Sequence, residues 1–162
     1  LPVLFCCENN LYAMGTALDR AQSQTDLTAK AAAYKVPTMT VDGMDVAACR
    51  DAALHAADHI RDAGGPFFLE FRTYRFRAHS MFDPELYRGK DEVEEWRKRD
   101  PIDLFTAQCL TDGTLTADDA AAIESAAAHE LEEAVAYAEA GTWESIDDLE
   151  RDVLTPPTGQ RR

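Results

Sequence analysis

Apolar runs and amphipathic stretches alternate along the first half of the chain. Leu1 to Cys7 is a continuous apolar run and predicts a buried strand. Gly15 to Gln24 is small and polar and predicts a loop. Thr25 is placed to cap a short helix reaching about Tyr34. Val36 to Val41 is β-prone and alternating, with Pro37 tolerable at its start, and Asp42-Gly43 closes it as a turn. Asp45 caps a helix on which Val46, Cys49, Ala53, Ala56, Ala57 and Ile60 recur at helical spacing. Gly64-Gly65-Pro66 ends that helix. Phe67 to Phe71 predicts another strand. Strand, helix, strand, helix, strand is the order of an α/β fold with a parallel sheet covered by helices. Ligands of such sheets bind beyond the carboxyl ends of the strands. Asn10, Asp42 and Arg75 each follow a strand, so all three fall at that edge.

The second half changes character. Thr73 to Lys90 is a long loop, and Lys90 to Arg99 is a charge-dense helical turn or two. Glu92, Glu94 and Glu95 with Arg97, Lys98 and Arg99 predict a solvated face there. Asp100-Pro101 starts another helix, with Ile102, Phe105 and Cys109 on its inner side, and Thr111 to Leu115 is a turn. Thr116 and Asp119 give a capping-box start to a helix that runs to about Ala140 and stops at Gly141. Its stripe of Ala120, Ile123, Ala127, Leu131, Ala134 and Ala138 is expected to pack internally, with a partner helix as the other option. Trp143 to Leu154 predicts a last amphipathic piece, and Thr155 to Arg162 a loose tail.

Composition narrows the function classes. The apolar fraction of 46% makes the chain globular, and no apolar run approaches the roughly 18 residues of a membrane span. The net charge of −14 argues against binding nucleic acid over a broad surface. Against that background, Arg72, Arg75, Arg77, His79 and Arg88 form a local basic cluster. Arginine forks suit phosphate oxygens, although pairing with surface carboxylates is an equal reading on composition alone. The four cysteines show no CxxC pair, so buried thiols in a reducing compartment are expected. His55 and His59 stand four apart without an acidic third ligand and read as surface or helix-contact residues. Asn9-Asn10 after the first strand is turn chemistry. It also offers the Asn10 side-chain oxygen and the Tyr12 carbonyl to one hard cation, if phosphate supplies the negative charge.

Glu8-Asn9-Asn10-Leu11-Tyr12-Ala13-Met14-Gly15-Thr16 resembles the second half of the thiamine-diphosphate motif. It is followed in order by Val41-Asp42-Gly43-Met44-Asp45, by Thr73-Tyr74-Arg75-Phe76-Arg77-Ala78-His79-Ser80-Met81-Phe82-Asp83-Pro84, and by Tyr87-Arg88. Together these stretches resemble the alpha subunit of the first component of pyruvate dehydrogenase complexes, well over about residues 1–110 and loosely beyond. The resemblance implies a doubly wound parallel-sheet domain that binds thiamine diphosphate and Mg2+. It implies decarboxylation of a 2-oxo acid, pyruvate first, with transfer of the acyl group to a lipoyl-bearing second component. By the same resemblance Asn10 and the Tyr12 carbonyl bind the metal, Arg75 contacts the diphosphate, and His79 orients phosphate or moves a proton.

The family's remaining metal ligand, an aspartate in a Gly-Asp-Gly triplet roughly thirty residues upstream, is not in this chain. Asp42-Gly43 follows the wrong strand to replace it. The implied working unit is a heterotetramer with a beta subunit that receives the aminopyrimidine, in the cytoplasm of a prokaryote or the mitochondrial matrix of a eukaryote. Neither nucleic acid nor membrane is an expected partner. Ser80 matches a position phosphorylated in animal members, but the other two such positions read Ala17 and Leu86. The alternatives are an acetoin or branched-chain 2-oxo acid dehydrogenase alpha subunit, or a non-catalytic assembly fragment. The chain opens at Leu1-Pro2-Val3, without methionine or leader, and reads as a piece of a longer protein that is inactive alone. The expected organisation is 1–90 as part of the cofactor-binding domain, 91–154 as its helical extension and 155–162 as tail.

Overall fold

A computed structural model describes residues 1–151 and 153. The chain divides into two compact units, Leu1–Leu115 and Thr116–Arg162. The first runs β1 (Leu4–Asn9), a small hairpin of β2 (Tyr12–Ala13) and β3 (Thr16–Ala17), α1 (Leu18–Ala21) and α2 (Leu27–Ala32). It continues through β4 (Thr38–Asp42), α3 (Val46–Ala63), β5 (Phe67–Arg72), α4 (Lys90–Arg97) and α5 (Pro101–Asp112). The second contains α6 (Ala117–Glu139) and a 3-10 turn at Ile146–Asp148. The tail expected over 155–162 lies outside the described residues.

The main sheet is parallel throughout, in the order β1-β5-β4. The α/β fold read from the alternation of elements is therefore present. Leu4 aligns with Phe67, Met39 with Leu69 and Val41 with Phe71, and these side chains gather under α3. Phe67, Leu69, Ala52 and Ala56 are the buried centre of that layer. Full burial of a side chain such as Leu69 stabilises by about 1.5–3 kcal/mol. Helix α3 starts where Asp45 accepts the Ala48 N–H at 2.9 Å, and it ends at Gly64 with φ 70°, in the left-handed region that glycine adopts at no steric cost. His55 and His59 both stand edge-on to Phe67, so they are helix-contact residues.

Parallel register brings the ends of all three strands level: both Asn9 and Asp42 align with Arg72. Across the other face of the sheet, buried Glu70 accepts from the Asn9 side-chain amide at 2.7 Å and from the Thr40 hydroxyl at 2.8 Å. One carboxylate thus laces the three strands together beside the edge from which the loops depart. Its partners satisfy it well, as a buried carboxylate requires.

Several expectations are corrected. The opening strand is not buried: Phe5 is 51% exposed and Cys6 is exposed. The reason is topological, because β1 is an edge strand that bonds to β5 on one side only. Gly15 to Gln24 is more ordered than a loop, since it holds β3 and α1, and the following helix is capped by Asp26 rather than Thr25. On α5 only Cys109 is buried; Ile102 is 74% exposed, and the helix continues through Thr111 to Asp112. The capping box at Thr116 and Asp119 forms as expected. None of the residues of α6, its stripe included, is buried.

Candidate functional site

Immediately after β1 the chain makes two overlapping Asx turns. The Asn9 side-chain oxygen accepts the Leu11 N–H at 3.1 Å, and the Asn10 side-chain oxygen accepts the Tyr12 N–H at 3.1 Å. These bonds hold Leu11 at φ 71°, an uncommon value for a branched apolar residue. Asn9 is itself pinned through its amide to Glu70. The turn is therefore fixed from the sheet outward, and strain held by surrounding contacts is frequent at ligand sites.

The second half of the site comes from the segment after β5. Asp83 organises it: its carboxylate accepts the His79 N–H at 3.1 Å, the Glu85 N–H at 2.9 Å and the Tyr87 hydroxyl at 2.9 Å. Those donors, the two backbone N–H groups foremost, hold the Asp83 carboxyl below the usual carboxylate range. Arg88 pins the same loop from within. Its side chain is 3% exposed, pairs with Glu85, and donates to the carbonyls of Arg75 at 2.6 Å and Phe76 at 3.1 Å.

Asn10, Tyr12, Met14, Arg75, Arg77, His79, Tyr87 and Arg88 line one cleft. The four residues singled out in the sequence, Asn10, Tyr12, Arg75 and His79, are all among them. Among the described residues no carboxylate lines this cleft, although 30 acidic residues are present in the chain. Arg75 bonds to the Ala78 carbonyl at 3.1 Å and to His79, and neither Arg75 nor Arg77 forms an ion pair among the described residues. Carboxylate pairing, though not between two surface groups, holds for Arg72, which stands 3.7 Å from buried Glu70, and for Arg88, whose buried side chain pairs with Glu85. The Arg75 guanidinium lies 3.3 Å from His79 Nδ1. A guanidinium only donates, so Nδ1 accepts and a neutral His79 carries its proton on Nε2.

This donor set fits a metal–diphosphate group. Neutral oxygens from Asn10 and Tyr12 suit a hard cation whose charge is balanced elsewhere. Unpaired arginines suit the phosphate oxygens that would balance it. No cluster of three or more His, Cys, Asp or Glu side chains able to hold a metal by itself occurs among the described residues. Asp42 falls at the same sheet edge but outside this cleft, because it is paired with Arg99.

Sequence reasoning missed Glu92. It was grouped with its neighbours as solvated, yet it receives Tyr12 and Tyr74: the Tyr12 hydroxyl is 3.0 Å from both its oxygens and the Tyr74 hydroxyl 3.1 Å from one. Glu94 and Glu95 do sit exposed, against Arg97 and Lys98. Burial, and then the bond to Glu92, push the Tyr12 phenol up to about 12. The only sequence signal was its place at helical spacing from Trp96, which stacks on Tyr74 at 5.1 Å.

At the carboxyl edge of a parallel α/β sheet, where ligands of such folds bind, this chain carries a cleft lined by Arg75, Arg77, Arg88 and His79. The chain belongs to the dehydrogenase E1 component family, whose model matches residues 1–146. It is 40% identical over 155 residues to the pyruvate dehydrogenase E1 component subunit alpha of Rhizobium meliloti, covering 95% of this chain and 44% of that protein. The subunit of the same name from Zymomonas mobilis is 37% identical over the same length, covering 95% and 44%. A mitochondrial, testis-specific form from Rattus norvegicus is 38% identical over 151 residues, covering 92% and 38%. The chain therefore spans under half the length of the curated relatives it matches. No helix among the described residues is long and apolar enough to cross a membrane.

Proposed function

We propose that the chain carries the diphosphate- and magnesium-binding part of a thiamine-diphosphate-dependent 2-oxo acid dehydrogenase alpha subunit, acting on pyruvate. The observation that supports this most is the meeting of Asn10, Tyr12, Arg75 and His79 in one cleft, with no carboxylate among its described lining residues. The pyruvate assignment draws on the names of the relatives.

In this reading the Asn10 side-chain oxygen and the Tyr12 carbonyl hold Mg2+. Arg75 and Arg77 bind the diphosphate, and Arg88 keeps Arg75 in place through its carbonyl. His79 presents the Nε2 proton to a phosphate oxygen or to a group being protonated. When bound, the cofactor supplies an electron sink for the loss of carbon dioxide from a 2-oxo acid. A third, carboxylate ligand for Mg2+ is expected upstream in the parent chain, and a beta subunit receives the aminopyrimidine in a heterotetramer. The acyl group passes to a lipoyl-bearing second component. The assembly works in the cytoplasm of a prokaryote or the mitochondrial matrix of a eukaryote.

Titration calorimetry of thiamine diphosphate with Mg2+ tests this on residues 1–162 alone and on the full-length chain mixed with its beta subunit. Binding is expected in the mixture only. Asn10→Ala in the mixture is expected to weaken metal and cofactor together, because the two share the diphosphate. Absence of binding in both samples would remove the thiamine reading.

A further inference from the structure

We infer that Glu92 is a positioning residue that holds the metal-binding turn and the arginine loop in a fixed relation to each other. It rests on the reading above, in which the Tyr12 carbonyl is a magnesium ligand and Arg75 a diphosphate ligand. Tyr12 belongs to the turn after β1, and Tyr74 immediately precedes Arg75. Their hydroxyls converge on the one Glu92 carboxylate, at 3.0 Å to both oxygens and 3.1 Å to one. Tyr12 and Tyr74 are 80 and 18 residues away from Glu92 in the chain, so no local turn could set this relation.

The surroundings make the junction stiff. The Tyr12 and Tyr74 rings meet edge-on at 6.5 Å, Tyr74 stacks on Trp96 at 4° between planes, and the Arg88 guanidinium sits 5.3 Å over the Tyr74 ring. Trp96 and Glu92 lie one turn apart on α4, so this helix grips Tyr74 by ring and by hydroxyl at once. Bonds from phenols to a carboxylate are charge-assisted and short-ranged, which favours one geometry over many. A displacement of about 1 Å between two ligand-binding segments is enough to weaken a shared ligand severely. Glu92 touches neither metal nor diphosphate in this arrangement; it acts through Tyr12 and Tyr74.

The test uses the full-length chain assembled with its beta subunit, with calorimetric titration of thiamine diphosphate and Mg2+. Glu92→Ala is expected to raise the cofactor dissociation constant about tenfold, the loss carried by about one charge-assisted bond. Glu92→Gln, whose amide oxygen still accepts both hydroxyls, should recover most of the affinity. Glu95→Ala on the exposed side of α4 should change nothing.

Tyr12→Phe combined with Tyr74→Phe removes what Glu92 acts through. Adding Glu92→Ala to that pair should then cost little more, the non-additivity of residues in one network. If Glu92→Ala misfolds, Glu92→Gln and the two phenylalanine variants decide the matter by the same affinities. Wild-type affinity in Glu92→Ala, with Asn10→Ala weakened, would overturn the role of Glu92 alone. Fully additive losses would do the same. Unchanged affinity in Asn10→Ala would overturn the site reading and this inference with it.

Discussion

Arg75 is placed but not neutralised. Its bonds go to the carbonyls of Ala78 and His79 and to the His79 ring, all of which orient the guanidinium without cancelling its charge. A cation held this way stays available to an anionic ligand. Arg75→Ala in the full-length assembly is expected to raise the thiamine diphosphate dissociation constant about tenfold or more, since hydrogen bonds to charged groups contribute about 1.5–3 kcal/mol. Calorimetry reads this directly, and an unaltered constant would remove Arg75 from the site. At this scale the meeting of Asn10, Tyr12, Arg75 and His79 in one cleft was legible, because each stands in a motif of the family resemblance. Glu92 was not, because an acid in a run of acids looks the same whether it meets water or two phenols. Asp83 was legible only as part of a motif. Its role depends on the backbone N–H groups of His79 and Glu85, which side-chain identity does not announce.

Between elements, the closest constraint is where β4 turns into α3 beside the end of β5. The Gly43 N–H donates to the Arg72 carbonyl at 2.7 Å. A Cβ at Gly43 would stand 2.9 Å from that same oxygen and 3.1 Å from the Thr73 Cβ. Both neighbours are at the root of the loop that carries Arg75, and backbone has little room to yield. Gly43→Ala is therefore expected to destabilise the full-length chain by about 1–3 kcal/mol, the range for overpacking a tight contact. It should also weaken cofactor binding by moving that loop. Urea unfolding measures the first effect, and an unchanged midpoint would mean the turn can shift freely. The elements were largely readable because their signals are local: alternation at β4, helical spacing and an Asp45 cap on α3, a left-handed Gly64 stop. What failed was exposure. The apolar runs of β1 and α5 predicted burial, but hydrophobicity does not say whether a strand is central or at an edge, nor whether a helix face meets a partner. Phe5 and Ile102 remain open for that reason.

For the molecule as a whole, the tyrosine–glutamate junction ties stability to alkaline pH. Tyr12 titrates near 12 in the folded chain, against about 10 when unfolded, and Tyr74 is raised in the same direction, chiefly by burial and then by its bond to Glu92. The folded state thus keeps these protons more tightly than the unfolded state. Their contribution is fully present below about pH 10 and is lost as pH rises through the folded value near 12. Deprotonation there would set a phenolate against the Glu92 carboxylate, in a chain whose net charge is already −14. Urea midpoints of the full-length chain are expected to hold steady from pH 8 to about 9.5 and then fall steadily between about 10 and 12. Lysine deprotonation contributes to any fall in that range, so Tyr12→Phe separates the two effects. The variant lacks the titrating hydroxyl and keeps the ring that packs on Tyr74 and Tyr87. It should be less stable than wild type at pH 8, where the bond to Glu92 is lost, and should approach wild type only as pH rises to about 12. Parallel curves for the two proteins across the whole range would mean that the Tyr12 proton is not held by the fold.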